Sequence, residues 1–170
     1  MTAGSGATAG TALVTVSSTP PPPPMTIGET SILPIADGGN GNLLVAQQAS
    51  LTQSRTVQSL SFYVTAASGK LRLAIYDATG PAGGPGQKRA ETAELTPVAG
   101  WNTAPVVTSV VLPAGTYWLA YLSSTNALQF RMARNGNARW YARTYGPLPT
   151  AFSTAPLSGS YHWSFYATVQ

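Results

Sequence analysis

The sequence predicts an all-β fold, a jelly-roll-like antiparallel β-sandwich. Three observations predict it. Several short segments alternate apolar and polar residues with a period of two, Gly- and Pro-rich turn signals separate them, and no stretch carries the apolar period of a helix. Many short strands with regular turns and no helices build sandwiches or barrels.

The elements follow in chain order. Residues 1–24 read as a Pro-rich linker. Within them TALVTVSS alternates like a strand, either the last strand of an upstream module or part of a disordered tail. Pro20–Pro24 form an unbroken run that favours the extended polyproline conformation of a semi-rigid spacer. Residues 25–170 are expected to form the β-sandwich domain, one unit with its own core. In VQSLSFYVT, Leu60, Phe62 and Val64 share one face. In KLRLAIYDA the inward set is Leu71, Leu73 and Ile75. TSVVLPAGTYWLAYLSS gives two strands split at Pro113-Ala114-Gly115. ALQFRMAR places Leu128, Phe130 and Met132 on one side, and HWSFYATV places Trp163, Phe165, Ala167 and Val169 on one side. GPAGGPG, PVAGWNTAP, RNGN and TYGPLP read as turns or loops.

Apolar residues make up 44% of the 170 residues, but charged residues only 8%, against about 25% in ordinary globular chains. The surface is therefore built from uncharged polar and small residues, a habit of secreted β-rich domains. The net charge of +4 comes from scarce acids, since there are only nine Lys and Arg. That is too few for the concentrated cationic face of a nucleic-acid binder. The chain has no cysteine, hence no disulfide frame and no thiol chemistry. MTAGSGATAGTA lacks the basic and apolar regions of a signal peptide, and no apolar run approaches membrane-span length. If the protein is exported, its signal lies outside this chain.

Catalytic chemistry is thinly represented. The titratable residues available to it are Glu29, Asp37, Asp77, Glu91, Glu94 and the single His162. No nucleophile elbow or phosphate-binding glycine loop is present. Glu91 and Glu94 would suit a hydrolase or lyase only if both stood in one cleft; on a strand or loop they are solvated charges. Asp77 precedes a Gly/Pro turn and reads as a turn former. Asp37, Asn40 and Asn42 in ADGGNGN offer oxygen ligands for a structural Ca²⁺, with Glu29 as a further donor, or they form a plain turn. No other cofactor is expected.

Sixteen aromatic residues are more than a core of this size needs. NGNARWYARTYG packs Trp140, Tyr141 and Tyr145 between Arg139 and Arg143. Alternation sends Trp140 one way and Tyr141, Arg143 and Tyr145 the other, so one set is expected inside and the other as an exposed row. Exposed rings stack on the C–H face of a pyranose, while Arg139, Arg143 and Asn137 bridge hydroxyls or pair with uronates. The alternative is that these rings are structural strand residues. Trp101, in a loop-like context, is either exposed or a loop anchor packed on the core. Trp163 and His162 complete the candidates.

LRLAIYDATGPAGGPG, GWNTAPV, LPAGTYWLAYL and the WSFYATV terminus resemble an accessory β-sandwich domain of bacterial secreted proteins, of the carbohydrate-binding-module kind, from about Gly28 to Val169. Such domains lie beside glycoside hydrolases, adhesin-like repeats and Pro/Thr linkers. The resemblance implies a non-catalytic, extracellular module that binds polysaccharide of the β-glucan type. Through the proline linker it would target an attached catalytic or adhesin domain. The expected module is a monomer with no nucleic-acid or membrane partner. The rival expectation is a stalk, adhesin or phage-tail β-domain that binds protein or itself.

Overall fold

A computed structural model describes residues 1–3 and 23–170; most of the predicted linker, including TALVTVSS and Pro20 to Pro22, lies outside the described residues. The fold is an all-β sandwich of two packed antiparallel sheets. Its strands are β1 (Met25–Gly28), β2 (Ile35–Gly38), β3 (Leu43–Leu51), β4 (Arg55–Ala66), β5 (Leu71–Asp77), β6 (Lys88–Glu91), β7 (Gly100–Pro105), β8 (Val111–Leu112), β9 (Gly115–Ser123), β10 (Gln129–Ala133), β11 (Ala138–Ala142), β12 (Leu157–Gly159), β13 (His162–Trp163) and β14 (Phe165–Val169). Among the described residues no helix is long and apolar enough to cross a membrane.

The eight-stranded sheet runs β1-β14-β4-β10-β13, with β7 and β8 also on β4 and β2 also on β10; the six-stranded sheet runs β12-β11-β3-β9-β5-β6. The chain crosses repeatedly between the sheets, so most neighbours in each sheet are distant in sequence; β5–β6 and β11–β12 are the consecutive pairs. The predicted inward sets form the core between them. Leu60, Phe62, Val64, Leu71, Leu73, Ile75, Leu128, Phe130, Phe165, Ala167 and Val169 are all fully buried. Phe62 sits opposite Phe165 in the register, and its ring meets Tyr121, Phe130 and Phe165 at 4.8–5.4 Å. These are favourable tilted and edge contacts.

Alternation does not explain the six-stranded sheet, which is buried on both faces. Tyr117, Leu119 and Tyr121 of β9 point into the inter-sheet core. Trp118, Ala120 and Leu122 face a second apolar cluster on the outside, with Leu44, Tyr76, Leu148 and Phe152. Its roof is the connection after β11. There the Tyr76 hydroxyl donates to the Pro149 carbonyl at 2.8 Å, Lys88 Nζ donates to the Leu148 carbonyl at 2.9 Å, and Phe152 N–H donates to the Gly86 carbonyl at 2.8 Å.

Two segments predicted as loops are strands. GWNTAP is β7, paired with β4 from Ser59 to Val64. The buried Asn102 side chain accepts from Val98 N–H at 2.8 Å and donates to the Val98 and Gly100 carbonyls. It thus replaces the backbone partners of the preceding turn, while Gly100 takes φ +102° at the strand entry, a conformation that glycine adopts readily. Pro105 is tolerated because β7 lies at an edge. The ADG of ADGGNGN belongs to β2, where Asp37 faces Phe130 of β10.

Candidate functional site

Between β2, β10 and β13 at one edge of the eight-stranded sheet and β3 and β11 of the six-stranded sheet lies an open cavity of about 300 Å³. It is lined by Asp37, Asn40, Leu43, Val45, Met132, Arg134, Trp140, Tyr161 and Trp163. Its aromatic wall follows from strand parity. Trp140 in β11 lies opposite Val45 of β3 and Leu157 of β12, so it points inward. Tyr161 stands 5.9 Å from Trp140 and 6.4 Å from Trp163, ring centre to ring centre. A Cβ on Gly159 would lie 2.6 Å from the Tyr161 ring and 3.0 Å from that of Trp140, so the side-chain-free residue lets these two rings close.

The polar wall is equally fixed. The Asp37 carboxylate accepts from the Trp163 indole N–H at 2.7 Å, from Asn40 Nδ2 at 3.2 Å and from Gly38 N–H at 2.9 Å. Asn40 Nδ2 also reaches the Tyr121 hydroxyl at 2.9 Å. Gln47, 2% exposed, holds the bend between β13 and β14 from the opposite sheet: its Oε1 accepts from Trp163 N–H at 2.6 Å and its Nε2 donates to the Phe165 carbonyl at 2.9 Å. Buried polar groups so satisfied rigidify what they touch. Arg134 adds a cationic head at the mouth.

Of the nine predicted ligand-binding residues, this cavity gathers Trp140 and Trp163. The expected exposed row of Tyr141, Arg143 and Tyr145 is not an open face. Its strand face is the floor of the second apolar cluster, and Tyr141 and Tyr145 pack into it. The Tyr141 ring meets Phe152 at 4.9 Å, and Arg143 donates to the Pro147 carbonyl at 3.4 Å. The Tyr145 phenol, pushed up to about 12 by burial and then by Glu94, donates to Glu94 at 3.0 Å. Arg139 lies on the same outer side, 5.3 Å over the Trp118 ring, and bonds Asn137 Oδ1 at 2.7 Å. Asn137 in turn donates to Gln48 at 2.9 Å. His162 faces away from Trp163, as its parity predicts, and pairs with Glu29 at 3.4 Å beside a polar groove.

Trp101 stands on the outer face of the eight-stranded sheet. It is half-buried and edge-to-face with Tyr63 at 5.3 Å and Tyr166 at 5.0 Å.

The predicted calcium trio divides. Asp37 and Asn40 turn into the cavity, while Asn42, at φ +58°, accepts from Tyr145 N–H at 2.8 Å. Among the described residues no three His, Cys, Asp or Glu gather as a metal cluster. Glu91 and Glu94 have separate cations, Lys88 at 2.7 Å and Arg72 at 2.8 Å. Asp77 forms a turn, accepting from Thr79 and Gln87.

Sequence reasoning did not single out Tyr161, Arg134, Tyr63 or Tyr166. Tyr161 shares its parity with Trp163 across SYHW. The triplet Ser-Phe-Tyr occurs at 61–63 and again at 164–166; in a half-buried strand such a doublet sends Phe in and Tyr out.

No protein-family model matches the chain, and no curated protein matches it.

Proposed function

We propose that the protein is a non-catalytic, extracellular carbohydrate-binding module, and that the cavity between the sheet edges is its saccharide site. One observation carries this reading. Trp140 combines an inward ring on an open cavity with an indole N–H that, among the described residues, donates to no protein acceptor. By contrast, the Trp118 and Trp163 indoles donate to Gly83 and Asp37. Trp140 and Tyr161 would cover the C–H face of a pyranose, with Asp37, Asn40 and Arg134 at its hydroxyls. An apolar wall with a few fixed polar groups is the usual build of a small-ligand site, and this cavity is at the small end of that class, roughly 300–1,000 Å³. It suits one or two sugar rings of a soluble chain of the β-glucan type. The reading asks for no metal and no catalytic carboxylate pair. The proline run would tether the module to an attached catalytic or adhesin domain and raise its local concentration on the polymer.

The test is affinity electrophoresis through gels containing neutral and acidic polysaccharides. One glucan class should retard the protein. Trp140→Ala should weaken binding roughly thirtyfold, the effect of truncating an anchor worth about 2 kcal/mol, and Asp37→Asn should weaken it less. Thermal unfolding of each variant controls for loss of fold. Absence of retardation by every polymer would overturn the reading in favour of a structural or adhesin domain with a protein partner.

A further inference from the structure

The four indoles fall into two pairs. Trp118 and Trp163 are buried and hydrogen-bonded within the fold. Trp140 and Trp101 are part-exposed, and neither indole N–H donates to a protein acceptor among the described residues. Trp140 belongs to the cavity; Trp101 lies on the outer face of the eight-stranded sheet. There Tyr63 is its direct cross-strand partner, and Tyr166 comes from β14 on the far side of β4.

The chemistry of this face is narrow. Outward positions from Ser59 to Thr65 in β4, from Trp101 to Pro105 in β7 and from Tyr166 to Thr168 in β14 carry no charge. The exposed Thr103 ties its hydroxyl at 2.8 Å to that of Ser61, which lies fully covered beside the rings. The strands that carry the rings offer no side-chain charge there to a phosphate or a carboxylate, and Arg131, outward on the neighbouring β10, is turned to the Pro34 carbonyl at 3.2 Å, so the ring patch complements a neutral, hydroxyl-rich partner. The rings are not coplanar: Trp101 makes angles of 68° with Tyr63 and 61° with Tyr166. Three tilted rings cannot lie together on the flat face of a crystalline polymer. One indole braced on two sides can stack on one sugar, with little rotamer freedom left to lose.

We propose that Trp101, flanked by Tyr63 and Tyr166, is a second saccharide contact that takes one neutral pyranose of a soluble chain, which makes the module bivalent. This rests on the carbohydrate-binding reading of the cavity. A long chain that touches both places gains affinity through effective concentration, whereas a short one cannot.

The indole N–H signals of the ¹⁵N-labelled full chain report both sites separately. The probes are β-1,3- and β-1,4-linked glucose tetrasaccharides. With the tetrasaccharide that binds, the Trp101 and Trp140 signals should both move and that of Trp118 should stay. In gels of the matching polymer, Trp101→Ala should lose at least tenfold in affinity while its Trp140 signal still responds to the tetrasaccharide. A Trp101 signal that stays fixed while Trp140 saturates would overturn the second contact and leave the cavity standing. If both signals stay fixed with both probes and no glucan gel retards the protein, both sites fall as glucan sites. Adsorption to microcrystalline cellulose that Trp101→Ala abolishes would overturn the single-ring geometry.

Discussion

The Asp77 carboxylate organises the turn after β5 with one oxygen, which accepts from Thr79 N–H at 3.1 Å, Thr79 Oγ1 at 2.6 Å and Gln87 N–H at 2.9 Å. Burial alone raises the pKa of this carboxyl, but those donors and Arg89 outweigh it and hold the group below its ordinary 3.8. A depressed folded pKa stabilises the protein fully above the unfolded value, and the stabilisation is lost as pH falls through the folded one. Glu29 has the same sign: burial raises its pKa, but Ser31 and then His162 bring it below 4.5. Asp77→Asn keeps an acceptor oxygen and removes the charge. It should cost about 1–2 kcal/mol at pH 7. Urea unfolding from pH 7 to pH 2 should show that difference shrinking below about pH 4. A constant difference across the range would mean that the carboxylate charge is not what holds the turn.

At the scale of elements, the strands with one buried face were readable in full, whereas those with two were readable as strands, β5 with its inner set as well, but not in their second buried face. β4, β10 and β14 alternate, and their inward sets are those the sequence names. β9 and β5 needed the segment that roofs their outer side. That segment, TYGPLPTAF and its flanks, has no period, because it is held by Leu148, Phe152 and backbone bonds to β6 rather than by a ladder. The same gap explains the site. Trp140 was legible as an aromatic beyond core needs, but the fate of Tyr141 and Tyr145 depended on the roof, a contact between residues tens of positions apart. Trp101 was misplaced in a loop because Gly100 and Pro105, the first and last residues of β7, read as turn residues, whereas Gly100 turns the chain into the strand at φ +102° and Pro105 is tolerated on an edge. The roof makes a sharp prediction. Phe152 is 5% exposed and meets both Tyr76 and Tyr141 edge-to-face. Phe152→Ala should destabilise by about 3 kcal/mol or more in urea unfolding followed by Trp fluorescence. A loss under about 1 kcal/mol would mean that the outer cluster closes without its roof.

The whole molecule is asymmetric across its two sheets. The six-stranded sheet hides its outer rings under the connection after β11, and its cations Arg72 and Arg139 lie over Tyr145 and Trp118 at 5.6 and 5.3 Å. The eight-stranded sheet leaves Tyr63, Trp101 and Tyr166 part-exposed on a patch of β4, β7 and β14 whose neighbouring outward positions carry no charge. Tyr141 and Tyr145 are also half-buried but pack on the outer cluster, so the part-exposed indoles lie only in the cavity and on the outer face of the eight-stranded sheet. With so few charges to keep copies apart, an uncovered ring face is either a ligand surface or a self-association surface. Acrylamide quenching separates the two. A monomer should quench in two classes, with Trp101 and Trp140 accessible and Trp118 and Trp163 shielded. Trp101→Phe and Trp140→Phe should each remove part of the accessible class, and Trp118→Phe part of the shielded one. These fractions should not change between micromolar and hundred-micromolar protein. If the Trp101 component instead becomes shielded as concentration rises, with a matching increase in sedimentation coefficient, the outer face joins copies of the chain. The indole then serves assembly rather than sugar, as expected of a stalk or adhesin domain.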